Sequence, residues 1–116
     1  MNGSNCSILI FGVQGESPQI QKSGPVANSI SEGSKFAITC SLSKGSQPIN
    51  FEWLKNGGQL QKRSDHYLIE SFDDYSRFKI QSVMSNDSGN YTCKASNSFG
   101  SDVYTTSLIV KRKPRY

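Results

Sequence analysis

The sequence predicts an all-β domain made of short strands, and three observations support this prediction. From Pro18 onward, apolar and polar residues alternate in short stretches, with turn residues between them at intervals of about ten. No stretch of useful length has the 3.6-residue hydrophobic period of an amphipathic helix. Cys40, Trp53 and Cys93 all fall within the alternating stretches. The spacing indicates a two-layer sandwich or a barrel.

Length and composition indicate one folded domain. The chain has 116 residues, of which 34% are hydrophobic and 19% charged, and no 18 apolar residues run together. Part of the net charge of +4 lies in one tail, at Lys111, Arg112, Lys113 and Arg115. The remaining charge is dispersed, without a basic helix or an aromatic-lined groove, so the sequence does not indicate a nucleic-acid partner.

The first fifteen residues have features of a processed leader. The apolar run 8–11 is followed by Val13-Gln14-Gly15, which suits cleavage after Gly15, although the run is short and no positive charge precedes it. Cleavage would remove Cys6 and leave the other two cysteines as an even pair. We therefore expect three segments: a signal peptide remnant or disordered extension at 1–15, a domain at 16–111, and a basic linker to a following domain at 112–116.

The alternation places the strands one after another. After an edge segment that ends at Gly33, we expect strands at 35–42, 49–54, 67–72, 75–80, 90–95 and 103–110. Asn56-Gly57 predicts a hairpin turn, because these residues tolerate positive φ angles. The expected core residues are Phe36, Ile38, Cys40, Leu42, Ile49, Phe51, Trp53, Ile69, Phe78, Ile80, Val83, Tyr91, Cys93, Ala95, Leu108 and Val110.

Four residues in these strands have a specific spacing: Cys40, Trp53, Tyr91 and Cys93. A bridge between Cys40 and Cys93 would close a loop of about 53 residues and destabilise the unfolded chain by roughly 4 kcal/mol. Trp53 lies in the next strand, where its indole can pack against such a bridge. Tyr91 stands two residues before Cys93, and with Asp87 and Gly89 it forms a D-x-G-x-Y-x-C pattern. Tyrosine at this position is typical of a tyrosine corner, in which the buried ring bonds to upstream backbone.

Over roughly 95 residues these elements resemble an immunoglobulin domain. The resemblance implies a Greek-key β-sandwich with one inter-sheet disulfide, and therefore an oxidising, extracellular location. Only about 22 residues separate Trp53 from Tyr75, which leaves room for a short C′ strand and strand D but not for the extra hairpin of a variable-type domain. The chain therefore resembles the intermediate, or I-set, domains.

A narrower resemblance rests on residues 51–57, 73–76 and 87–95, which are similar to Dscam-type cell adhesion molecules of arthropods. These stretches particularly resemble the variable first domain of the shortened Dscam forms of chelicerates. The resemblance implies homophilic binding at the cell surface, in which the A-B-E-D faces of two molecules pair antiparallel. The membrane anchor would lie in other parts of the full-length receptor. Six residues should project from this face: Lys35, Leu68, Glu70, Phe72, Arg77 and Lys79. We expect Glu70 to meet Arg77 or Lys79 of the second molecule.

The sequence predicts no enzyme, metal or cofactor site. His66 is the only histidine, and the Asp65-His66 pair is expected to be solvated in a loop. Asp73-Asp74 is expected to form a turn, because few further carboxylates are near enough to complete a calcium site. Asparagines in N-x-S/T sequons are Asn2, Asn5, Asn86 and Asn90, and the last two are the glycosylation candidates of the domain.

Two other functions stay open on the sequence alone. The first is a receptor or matrix module that binds heparan sulfate through residues 111–113. The second is an intracellular I-set module of a muscle filament, which would have free thiols at Cys40 and Cys93.

Overall fold

The computed structural model of this chain describes residues 15–22 and 24–113. Residues 1–14 of the expected leader at 1–15, its sequons at Asn2 and Asn5, and residues 114–116 of the expected linker at 112–116 therefore lie outside the described residues. The strands predicted between these two segments lie within the described residues.

Two packed sheets form the described domain. Their strands are β1 (Gln19–Ile20), β2 (Ala27–Ser31), β3 (Phe36–Lys44), β4 (Asn50–Lys55), β5 (Gly58–Gln59), β6 (Tyr67–Ser71), β7 (Tyr75–Ile80), β8 (Gly89–Asn97) and β9 (Gly100–Lys111). One sheet has the order β1-β3-β7-β6 and the other β2-β9-β8-β4-β5. Strand β2 runs parallel to β9, whereas the other neighbours are antiparallel. The predicted all-β sandwich is confirmed, with C′ reduced to the two residues of β5.

The core lies between the sheets and contains the residues that the alternation predicts. Eleven of them are buried: Phe36, Ile38, Cys40, Trp53, Phe78, Ile80, Val83, Tyr91, Cys93, Ala95 and Leu108. The other five, Leu42, Ile49, Phe51, Ile69 and Val110, are half-buried and pack against this cluster. Because side chains alternate along each strand, the residues between these positions must face solvent.

A disulfide and a tryptophan join the two sheets at the centre of the core. The Cys40–Cys93 disulfide connects β3 to β8, and both cysteines are fully buried. Trp53, on β4, is only 2% exposed, and its Nε1 donates a hydrogen bond of 2.8 Å to the Oγ of buried Ser76 on β7. The indole N–H therefore keeps a partner in the interior, where an unpaired polar group would be costly.

Tyr91 forms the tyrosine corner that the sequence predicts. Its hydroxyl donates a 2.6 Å hydrogen bond to the backbone carbonyl of Asp87 in the short 3-10 turn Ser85–Asp87. Burial, and to a lesser extent the nearby Asp87 carboxylate, raise the pKa of Tyr91 well above its ordinary value. The phenol therefore remains protonated and keeps its role as a donor.

The strand ends differ from the predicted bounds where local hydrogen bonds decide them. Strand β9 begins three residues early, at Gly100, because Asn97 Oδ1 accepts the N–H groups of Phe99 and Gly100 and closes a tight turn after β8. The predicted Asn56-Gly57 turn is confirmed, with φ of 50° and 85° at these residues. Strand β1 is not predicted, since two residues are too few to show an alternation.

We expect the substitution Tyr91→Phe to lower the free energy of unfolding by about 1–2 kcal/mol, because the buried Asp87 carbonyl loses its donor. Urea denaturation measures this loss. Tyr75→Phe is the matched control, since Tyr75 is partly exposed and its hydroxyl makes no hydrogen bond within the described residues. Equal urea midpoints for wild type and Tyr91→Phe would contradict the role of the corner.

Candidate protein-binding face

The candidate binding residues lie on or beside the outer surface of the sheet β3-β7-β6, which we term the binding face. The strand register sets cross-strand rows on this surface. Arg77 lies between Thr39 and Glu70 in one row. Lys79 lies between Ala37 and Leu68 in the next row. Lys35 directly precedes β3 at the end of the face nearest Lys79.

The exposure of these side chains differs from the sequence prediction at two positions. Lys35, Glu70, Phe72 and Arg77 are exposed, as expected, but Leu68 and Lys79 are half-buried. The isolated bridge between Arg63 and Leu68 explains the first difference, because it brings the preceding loop alongside the free edge of β6. Lys79 lies on the inner strand β7, where neighbours on both sides cover its stem.

An aromatic pair stands at the other end of the binding face. Phe72 is 51% exposed, and its ring stacks on that of Tyr75 with 4.6 Å between the ring centroids. The pair flanks the Asp73-Asp74 turn between β6 and β7, which confirms that turn. Sequence reasoning missed Tyr75 as a surface residue. Its position two residues before Arg77 on the same strand is the signal that could have found it.

Charge is unevenly distributed along the binding face. Glu70, Asp73 and Asp74 lie toward the aromatic end, and Lys35 and Lys79 lie toward the opposite end. Within residues 15–22 and 24–113 the two salt bridges are Lys22–Asp102 and His66–Asp87, so none of the face charges is paired. These charges are therefore available to a partner.

The edge strand of the same sheet is held by a side chain from the other sheet. Asp102 Oδ2, on β9, accepts the N–H of Ile20 at 2.8 Å and a hydrogen bond from Lys22 Nζ at 2.6 Å. Burial alone would raise the pKa of the Asp102 carboxyl. The hydrogen bonds from Lys22 and from backbone amides, with the positive charge of Lys22, bring this pKa below its ordinary value. Ionised Asp102 thus stabilises the edge strand β1.

His66 is not the simple solvated group that the sequence predicts. Its Nε2 lies 2.7 Å from Oδ2 of Asp87, and the same carboxylate oxygen accepts the N–H of Met84 at 2.7 Å. The Asp87 side chain is only 8% exposed, whereas that of His66 is 36% exposed. The pair ties the loop before β6 to the turn before β8. In the described residues no cluster of three or more His, Cys, Asp or Glu could hold a metal ion.

The outer face of the five-stranded sheet is the competing surface. It has exposed apolar side chains at Val103 and Ile109, 49% and 56% exposed. Its charged residues Glu52 and Lys94 are direct cross-strand neighbours, and both are half-buried. Asn90 projects from this sheet, since its neighbour Tyr91 points inward. Asn86 is exposed in the 3-10 turn, so neither glycosylation candidate lies on a strand of the binding face.

Comparisons with known proteins agree with this architecture. The family model "Immunoglobulin I-set domain" matches residues 18–110. The chain is 37% identical over 84 residues to the cell adhesion molecule DSCAML1 of Gallus gallus, and this match covers 72% of the chain. It is 34% identical over 88 residues to the cell adhesion molecule Dscam2 of Drosophila melanogaster, which covers 75% of this chain. It spans only 4% of the length of each of these two relatives.

Solved structures give the same fold. A structure of three immunoglobulin domains of titin, in an E-to-A mutated variant, matches with a TM-score of 0.76 and 26% identity. The match covers 85% of this chain and 34% of that one. The described residues contain no helix long and apolar enough to cross a membrane.

We expect Asp102→Asn to destabilise the chain at neutral pH by less than about 1 kcal/mol, because this ion pair is partly exposed. The folded-state pKa of Asp102 is lowered, so its contribution is present above the unfolded pKa of about 3.9 and is lost as pH falls further. Urea denaturation from pH 7 to 3 should therefore show the stability difference closing at the acidic end. Asp65→Asn, at an exposed carboxylate, is the control. A difference that persists unchanged at pH 3 would contradict this account.

Proposed function

Because the chain belongs to the immunoglobulin I-set family, we propose that it is an extracellular recognition domain of a cell adhesion receptor and binds a second copy of itself. The similarity to DSCAML1 and Dscam2, both cell adhesion molecules, supports the class of protein. The Cys40–Cys93 disulfide supports an extracellular location, since such bridges persist in oxidising compartments. Binding of this kind needs burial and charge matching, without chemical catalysis. The narrower likeness to shortened chelicerate forms stays a prediction.

The observation that carries the proposal is the distribution of unpaired charge on the binding face. A surface that binds its own copy about a two-fold axis must carry both members of each complementary pair. Glu70 and Arg77 meet this condition, because they are direct neighbours on β6 and β7 and neither forms an ion pair within the described residues. A two-fold axis in the plane of the contact, perpendicular to the strands and through the Glu70–Arg77 row, would bring each Arg77 diagonally beside the partner's Glu70.

The same axis gives the apolar side chains complementary partners. In this arrangement Phe72 of one copy would cover Leu68 of the other, and the Tyr75 ring would lie over Lys79. An ammonium group over an aromatic face is attracted to the ring, and aromatic residues are favoured at the centres of protein interfaces. The chains would run antiparallel, as expected for an isologous contact between molecules on two facing cells.

The competing surface fits self-recognition less well. Its apolar side chains do not form one patch, because the cross-strand neighbour of Val103 is Lys94 and that of Ile109 is Ser29. Thr92 and Thr105 satisfy each other with a 2.7 Å hydrogen bond. A glycan on Asn90 would project from this surface and obstruct contact there. The binding face has no such sequon on its strands.

A muscle-filament module is the second candidate, and the structural similarity to titin favours it. The two candidates differ in the oxidation state of the cysteines. Mass measurement of the native protein with a thiol-reactive label separates them. Both cysteines are buried, so the label is added after unfolding without a reductant. Protection of Cys40 and Cys93 would then support the adhesion receptor, whereas labelling of both would support the filament module.

We expect Glu70→Lys to weaken self-association by about tenfold or more, because two like charges would meet at each of two symmetric contacts. Sedimentation equilibrium of the full chain measures the dimer constant. The double variant Glu70→Lys/Arg77→Glu should restore it, since the swap regenerates the complementary pair. Glu52→Lys, the same charge change on the competing surface, should leave the constant within about twofold.

Two results would contradict the proposed face. One is a Glu70→Lys variant that self-associates as strongly as wild type. The other is a Glu52→Lys variant that weakens association as much as Glu70→Lys does. A wild-type chain that stays monomeric at every accessible concentration, and also fails to aggregate beads coated with it, would overturn self-recognition itself.

A further inference from the structure

Four cations lie together at one end of the binding face, and we term them the basic strip: Lys35, Arg63, Arg77 and Lys79. Arg63 bridges to Leu68, which lies opposite Lys79. Arg77 is two residues from Lys79 on β7, so the two side chains share a face about 7 Å apart. Lys35 precedes Phe36, the partner of Ile80, and therefore lies diagonally across from Lys79.

The strip contains two shallow depressions that meet at Lys79. One is about 240 Å³ and has Arg63, Lys79 and Gln81 in its lining. The other is about 310 Å³, is lined by Lys35 and Arg77, and shares Lys79 and Gln81 with the first. Cationic groups on both sides of a common lysine suit a linear ligand that carries negative charge at repeated intervals. A single small anion would contact only part of the strip.

The four cations of the strip form no ion pair within the described residues. Neither salt bridge within residues 15–22 and 24–113 involves any of them. Asp65 lines the first depression and Glu70 neighbours Arg77, but neither lies within the 4.0 Å that defines an ion pair. A polyanion that binds here would release the small counterions now held by the four cations, which favours association at moderate salt.

We infer that the basic strip binds a sulfated linear polysaccharide of the glycosaminoglycan class. Sulfate groups would pair with the arginine and lysine side chains, and polar groups such as Gln81 and Ser64 in the depressions can bond to sugar hydroxyls. Nucleic acid fits less well, because single strands need exposed aromatic platforms for base stacking. The aromatic residues in the two linings are Phe36, which is buried, Tyr67, whose ring packs on Phe78, and His66, whose ring is held against the Asp87 carboxylate.

This inference relocates the site that the sequence suggests for heparan sulfate. Residues 111–113 lie at the end of β9, where the acidic Glu32 accepts the backbone N–H of Lys113 at 3.1 Å. Arg63, which sequence reasoning leaves aside, enters the site because the bridge to Leu68 brings its loop next to β6. The inference goes beyond self-recognition and does not depend on it, since a monomer would bind the polysaccharide equally well.

Calorimetry with a heparin octasaccharide at about 0.15 M salt tests the site on the full chain. We expect Arg63→Ala/Lys79→Ala to weaken binding by about tenfold or more. The control Lys44→Ala/Lys94→Ala removes the same charge away from the strip and should change binding by less than about threefold. Circular dichroism verifies that both variants fold. A fully desulfated octasaccharide should not bind wild type, and a single-stranded oligonucleotide of equal charge should bind more weakly than heparin.

Four outcomes would overturn the inference. They are the absence of heparin binding by wild type, equal losses in the two double variants, an oligonucleotide that binds as tightly as heparin, and a loss confined to Lys111→Ala/Lys113→Ala. None of them bears on self-association, which Phe72→Ala should weaken. Because Arg77 and Lys79 belong to both proposed contacts, heparin binding is measured at chain concentrations below the dimer dissociation constant, where Phe72→Ala should leave it unchanged, since Phe72 lies outside the strip.

Discussion

The disulfide between Cys40 and Cys93 fixes the distance between the two sheets and which side of each sheet faces the core. The rest of the structure depends on this link. It joins inner strands of both sheets, and Trp53 extends the connection by donating its indole N–H to Ser76 across the core. Once these inward positions are fixed, the period of two along each strand decides what faces solvent. The positions of Arg77 and Lys79 on the surface follow directly from the burial of Phe78 and Ile80 beside them. The binding face is therefore positioned by the core, although its own residues contribute little to the core.

The fold could be predicted from the sequence because its signals are local. Alternation identified the inward residues, and the cysteines, Trp53 and Tyr91 identified the family. Contacts between distant parts of the chain could not be predicted in the same way. His66 meets Asp87 across 21 residues, and Asp102 reaches Ile20 across 82. Such pairs depend on where loops and edge strands come to lie in three dimensions. Arg63 was missed for a related reason, since it joins the surface through a loop. Tyr75 was missed although its spacing from Arg77 on the same strand predicts that it shares this face.

The two outer faces differ in a way that suggests separate roles. On the five-stranded sheet, Thr92 and Thr105 bond to each other, and Glu52 and Lys94 are direct cross-strand neighbours that form no ion pair within the described residues. On the four-stranded sheet the charges have no ion-pair partner within the described residues, and an aromatic stack is exposed at one end. An unpaired charge on a folded surface costs little free energy in water. Its attraction to an opposite charge becomes stronger when a complementary surface excludes that water. The proposed contacts with a second copy and with a sulfated polysaccharide both involve these unpaired charges.

The central claim is that a second copy binds this particular face, and residue-level NMR tests it most directly. Spectra of the uniformly ¹⁵N-labelled, disulfide-bonded chain would be recorded over a dilution series. The account predicts concentration-dependent amide shifts that cluster on β6 and β7, around Glu70, Arg77 and the Phe72–Tyr75 stack. Shifts that cluster instead around Lys94, Val103 and Ile109 on the other sheet would contradict it, as would spectra that show no change in a sample that sediments as a dimer.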